Sequence, residues 1–161
     1  MKIMYTRPED NGLSIVIAAP KEAIEKVLGP LTQEQYEAHV MERSIPADAI
    51  NPRRITDDAI PANREFRNAW ADITPEPVVD IDLVKAKDLK LMELRDKRNI
   101  ELEKLDKEFM IALEQGRDLN VIKDKKQLLR DVTGPLKNLP VSGINDEEIL
   151  DQIRALATLE V

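Results

Sequence analysis

The chain lacks cysteine altogether. That excludes disulfide staples, thiolate zinc centres and cysteine nucleophiles together. Aromatic residues are only 3% of the 161 positions, so any core must be built from aliphatic side chains. Histidine occurs once, as His39, which rules out multi-histidine metal sites. Five glycines are too few and too dispersed for a phosphate-cradling loop, and neither a P-loop nor a dinucleotide fingerprint is present. Ser14, Ser44 and Ser142 sit in no nucleophile-elbow pattern. No apolar run approaches the ~20 residues that span a bilayer, and the stretch Met1–Arg7 has no signal-peptide core. These absences lead us to expect a protein of the cytoplasm, with no membrane association, no cofactor, no metal and no catalytic residues.

Charge is abundant by contrast. Charged residues make up 34% of the chain, with a net charge of −7. The usual share is about a quarter, so the excess points to long solvated surfaces. Residues 1–80 hold 9 basic and 14 acidic side chains, residues 81–133 hold 13 and 12, and residues 134–161 hold 2 and 5. Without a strongly basic segment there is no electrostatic footprint for DNA or RNA.

Read along the chain, the sequence predicts an α+β fold that is mainly helical. Lys2–Thr6 and Leu13–Ala18 flank the turn cluster Pro8-Glu9-Asp10-Asn11-Gly12, the pattern of a β-hairpin. Pro20 opens a short helix whose apolar face is Ala23, Ile24, Val27 and Leu28, closed by Gly29-Pro30. Thr32 and Gln35 form a capping box for a helix reaching about Glu42. Prolines 46, 52, 61, 75 and 77 make the next stretch irregular, with Arg53–Thr56 as a candidate third strand.

The dominant feature starts at Asp80 or Asp82, either of which can cap a helix, and runs to Gln115 without Gly or Pro. A helix from 82 to 115 would be about 50 Å long. Val84, Leu91, Arg98, Leu105 and Ala112 recur every seven residues, beside Leu94, Leu102 and Phe109, which gives a coiled-coil-like stripe interrupted by Arg98. Gly116 marks its end, and Asp118 or Asn120 caps a second helix to about Val132, with Leu119, Ile122, Leu128, Leu129 and Val132 apolar. A connection this short makes the two helices an antiparallel hairpin. Gly134-Pro135 reads as a stop, Lys137–Gly143 as loop, and Asn145 with Glu148 as the cap of a last helix. The expected organisation is thus a head with a proline-rich neck (1–79), a helical hairpin (80–133) and a tail with a short helix (134–161).

The shorter second helix leaves the stretch from Leu83 to Leu94 without obvious cover except the head or the last helix, and an uncovered apolar stripe marks a partner or self-association. Leu91, Leu94, Leu102, Leu105 and Phe109 are therefore the candidate protein interface. Phe66 and Trp70, four residues apart, join them either as an interface anchor or as a staple holding the proline-rich segment to the head. The acidic pair Asp80 and Asp82 admits a metal or, more simply, helix capping.

Two stretches carry a resemblance. One is Ile60-Pro61-Ala62-Asn63-Arg64-Glu65-Phe66-Arg67-Asn68-Ala69-Trp70. The other comprises Lys85-Ala86-Lys87-Asp88, Leu94-Arg95-Asp96-Lys97-Arg98-Asn99, Leu105-Asp106 and Leu129-Arg130-Asp131-Val132-Thr133. In this order, over about residues 54–133, the chain resembles small bacteriophage tail and tail-fibre assembly proteins. The resemblance implies a partner among tail-fibre or other tail proteins. It also implies a place in the host cytoplasm during assembly, or retention in the virion tail, and no catalytic residues. The readings set against it are a generic cytosolic coiled-coil adaptor or dimerisation module, and a metal-dependent enzyme using carboxylates.

Overall fold

A computed structural model describes residues 1–72 and 79–159. The fold is α+β and mainly helical, and it divides into two compact units, Met1–Ile81 and Asp82–Val161. The prolines at 75 and 77 of the expected neck lie outside the described residues.

The first unit is built on a three-stranded antiparallel sheet of order β2-β1-β3, formed by β1 (Lys2–Thr6), β2 (Leu13–Ile17) and β3 (Ile50–Ile55). The hairpin turn is set by polar chemistry. Asp10 accepts from the Gly12 amide at 2.8 Å and from the Arg7 guanidinium at 3.0 and 2.6 Å, while the Arg7 amide donates to the Gly12 carbonyl at 2.9 Å. The positive φ falls on Asn11 (51°) and not on Gly12. A Cβ added at Gly12 would lie 2.1 Å from the Arg7 guanidinium, so the Arg7 side chain would have to move aside. The candidate third strand is present and longer than its sequence signal, taking in Pro52 and the left-handed Asn51 (φ 50°).

Two helices follow the hairpin, α1 (Lys21–Leu28) and α2 (Gln33–Ser44). The Thr32–Gln35 capping box is closed in both directions, at 3.2 and 2.8 Å. Tyr36 and Val40 from α2 bury against Ile3 and Ala18, and the Tyr36 hydroxyl donates to the Ala19 carbonyl at 2.7 Å. A polar tip satisfied in this way is what lets a tyrosine enter an aliphatic core.

Phe66 and Trp70 both lie buried in this unit, separated by a single 3-10 turn over Arg67–Ala69. Trp70 opens a two-residue strand, β4 (Trp70–Ala71), paired with β5 (Asp80–Ile81). The sequence pattern does not signal this ribbon, since two residues are too few to show an alternation.

The second unit opens with α3 (Leu83–Glu114), whose cap is Asp82, accepting from the Val84 and Lys85 amides at 3.0 and 3.1 Å. Of the two readings of the acidic pair, Asp82 takes the capping one. The helix ends on a Schellman motif: the Gly116 amide donates to the Leu113 carbonyl and the Arg117 amide to the Ala112 carbonyl, with Gly116 at φ 62°. The chain then turns back into α4 (Asn120–Asp131). Gly134-Pro135 does not stop helical structure as expected. It starts a further short helix, α5 (Gly134–Asn138), because proline costs nothing in a first turn whose amides have no intrahelical acceptor. The last helix, α6 (Glu147–Leu156), is capped by Asp146 and not by Asn145. Asn145 sits at φ 48°, one residue outside, and turns the chain into the cap. Among the described residues no helix is long and apolar enough to cross a membrane.

Candidate protein-binding surface

Of the expected stripe along α3, Leu91, Leu94, Leu105 and Ala112 are buried, and Leu83 and Ala86 join them, whereas Val84 is 45% exposed and faces solvent. Two sets of neighbours cover the buried residues. Toward the C-terminal end, Leu105 and Ala112 bury with Ile122 and Leu129 of α4, and Leu102, Phe109, Leu119 and Leu159 pack half-buried around them. Lys126 of α4 lies 4.8 Å from the Phe109 ring centroid and pairs with Asp106 at 2.5 Å, fixing the hairpin register from its polar rim. Toward the N-terminal end α4 does not reach, as its length dictates. There α3 packs against α5 and α6 instead, whose Leu136, Leu150 and Ile153 are fully buried. Lys87 ties the two together by donating to the Lys137 and Leu139 carbonyls at 3.2 and 2.9 Å.

Of the two ways in which the stretch from Leu83 to Leu94 could be covered, by a partner or by the head or last helix, the chain's own last helix does it, with α5 beside it. Of the seven candidate interface residues, Phe66, Trp70, Leu91, Leu94 and Leu105 are buried within the chain, while Leu102 and Phe109 are half-buried. Leu102, Leu105 and Phe109 meet in one cluster. Phe66 and Trp70 belong to the other unit and fit the staple reading. Arg98, the break in the stripe, is half-buried and donates to the neighbouring Asn99 side chain at 2.9 and 3.2 Å.

Apolar side chains stand in solvent at several places, Ile17, Val27, Val84, Met92 and Ile100 among them, and they include a group at the end of the hairpin. Phe109-Met110-Ile111-Ala112-Leu113 is a run of five apolar residues in the last turns of α3. A helix advancing 100° per residue cannot turn five consecutive side chains to one side. Ala112 and Phe109 face α4, so Met110 (54% exposed), Ile111 and Leu113 (53%) are left outside. The turn at Gly116 brings the start of α4 to the same end of the hairpin, with Val121 61% exposed. On α4 the expected apolar position Leu128 also faces solvent, since its neighbour Leu129 takes the inward direction. The run was visible in the sequence, but a reading by heptads collects only its inward members.

Chemistry-bearing groups are dispersed. Among the described residues no group of three or more His, Asp or Glu side chains is arranged to hold a metal ion. His39 is half-buried on α2. Arg7 and Asp58 titrate away from their ordinary values. The hydrogen bond to Asp10 holds the Arg7 guanidinium pKa above its usual value, with the Asp10 and Glu9 charges adding to it against the effect of burial. The Thr56 hydroxyl, with a backbone amide, holds the Asp58 carboxyl below its usual range. Both sit at turns and accompany local structure. Compared with known protein families, with curated proteins and with solved structures, the chain matches none of them.

Proposed function

We propose that this chain works by binding other proteins, as a tail-fibre-associated protein of a bacteriophage, either guiding assembly of a fibre or remaining as a tail component. The observation that carries the binding reading is the apolar end of the hairpin, where Met110, Ile111, Leu113 and Val121 stand in solvent on rigid helical backbone. Exposed apolar side chains gathered at one end of an otherwise charged helix pair are a cost in water unless a partner covers them. The phage context rests on the resemblance of the Ile60–Trp70 and Lys85–Thr133 stretches.

The test is capture from phage-infected cells by tagged full-length protein, comparing the natural chain with a Met110→Glu/Leu113→Glu double variant. Both positions are half-exposed, so circular dichroism of the variant should match that of the natural chain. Enrichment of a fibre or tail protein by the natural chain, lost in the variant, is the expected result. Equal enrichment by both would remove the hairpin end as the surface, and enrichment of no phage protein would remove the phage reading.

The same apolar end also favours a second reading, a cytosolic adaptor or dimerisation module, if its partner is another copy of the chain. Sedimentation of the purified natural chain and the double variant separates the two: a dimer abolished by the variant supports self-association, whereas a monomer in both supports a foreign partner.

A further inference from the structure

In the three-stranded sheet β1 is central, so β2 and β3 each have an outer edge. The β3 edge is blunted three ways: by Pro52, which has no amide hydrogen, by Asn51 in the left-handed region, and by a register shift against β1 between Met4 and Thr6. These are the devices by which edge strands avoid pairing. The β2 edge has none of them. Leu-Ser-Ile-Val-Ile is regular, pairs residue for residue with β1 from Lys2↔Ile17 to Thr6↔Leu13, and ends in an Ile17 that is 72% exposed.

The ladder also says which backbone groups point outward. The Arg7 amide donates to the Gly12 carbonyl at one end, and the Ala18 amide donates to the Met1 carbonyl at the other. Hydrogen-bonded pairs alternate in an antiparallel ladder, so Gly12, Ser14, Val16 and Ala18 face β1. Leu13, Ile15 and Ile17 therefore turn their amides and carbonyls away from it. Among the described residues no backbone or side-chain group meets them.

A cavity of about 510 Å³ is lined by all five β2 residues together with Arg64, Arg67 and Trp70. Lys2 and Arg7 also line it, against a single carboxylate, Asp10. Arg7 is engaged by Asp10 and Lys2 by Asp57. Arg64 and Arg67 are exposed and have no ion pair among the described residues. An open strand edge supplies main-chain hydrogen bonds, the cavity supplies room, and the surplus cations choose the sign of the occupant.

We infer that this groove takes an extended acidic segment of another protein, added to the sheet as a fourth strand beside β2. A second copy of this chain fits less well, because edge-to-edge pairing of β2 would bring the unpaired Arg64 and Arg67 of two molecules together. The inference stands apart from the fibre reading, since it rests on the first unit alone.

The test uses the full chain and three capped hexapeptides: alternating Glu-Val, alternating Lys-Val, and alternating Glu-Val with every backbone amide N-methylated, so that neither edge of the peptide can donate. Trp70, the only tryptophan, lines the groove and reports binding by its fluorescence. Amide exchange of Leu13, Ile15 and Ile17 reports strand addition. The Glu-Val peptide is expected to shift the emission and protect those three amides, while the other two peptides do neither. Arg64→Ala/Arg67→Ala on these exposed side chains is expected to weaken that peptide at least about fivefold. Equal binding of the lysine peptide, or indifference to N-methylation, overturns the proposal. So does concentration-dependent protection of the same amides in the protein alone, which would make a second copy the occupant.

Discussion

Asp72 and Arg53 are the residues whose individual chemistry bears most on the first unit. The Asp72 side chain is only 4% exposed and is paired with Arg53 from β3, nineteen residues earlier. A buried ion pair adds little net stability over a well-packed apolar pair, yet removing one partner leaves the other as an uncompensated charge. Arg53→Met is therefore expected to destabilise the first unit by about 3 kcal/mol, and Asp72→Asn by less, because the charge it strands is that of Arg53, whose side chain is 26% exposed and can still be hydrated, whereas Asp72 is only 4% exposed. Chemical denaturation of the two variants checks the order. Equal losses would mean that Asp72 stays solvated in the folded state. The pair illustrates where sequence reading stops. The Thr32–Gln35 capping box and the Asp82 cap are legible because donor and acceptor lie within four residues, so backbone geometry alone brings them together. Arg53 and Asp72 meet only after the sheet has formed, and no local pattern couples them. The burial of Phe66 and Trp70 belongs to the same category: their types announce anchors, but only the folded chain decides what they anchor to.

At the scale of elements, the two hairpins, the long helix and its partner follow from periodicity, turn chemistry and caps. What escaped were short pieces. The β4–β5 ribbon has two residues a side, and α5 begins on a Gly-Pro pair that reads equally as an ending. Missing α5 mattered, since it helps α6 cover the N-terminal half of α3 and thereby removes the apparent need for a partner there. The covering helices should then carry stability that their modest length belies. Leu150 of α6 is fully buried and Leu128 of α4 is 70% exposed, although both are leucines on amphipathic helices. Leu150→Ala is expected to cost about 2–5 kcal/mol through lost burial and a cavity, and Leu128→Ala no more than about 0.5 kcal/mol. Thermal melts of the two variants distinguish them. A small effect at Leu150 would show that α6 docks loosely, and would restore the N-terminal half of the α3 stripe as a binding surface.

For the whole molecule, the balance between charge and exposed apolar surface decides what it does at high concentration. At neutral pH the net charge of −7 makes copies repel one another. The isoelectric point is about 4.9, so lowering the pH removes that repulsion as carboxylates protonate. Asp58, held below the usual carboxylate range, protonates late in this descent. Its depressed folded-state pKa means that its stabilising hydrogen bonds are intact at neutral pH. They are lost only as pH falls below the ordinary carboxylate value and through the lowered one. The fold should thus outlast the loss of net charge as far as this group is concerned, leaving native molecules near pH 4.9 free to meet through the Met110, Ile111, Leu113 and Val121 end. Reversible association is expected to peak near that pH in static light scattering, with native circular dichroism throughout. The Met110→Glu/Leu113→Glu variant should respond in a way net charge alone does not explain. Its two added carboxylates shift the isoelectric point only slightly downward, yet at its own isoelectric point it should associate several-fold less. Equal association of both proteins, each at its own isoelectric point, would mean that the apolar hairpin end is not the sticky surface of this molecule, and with it would go the main physical support for the binding role.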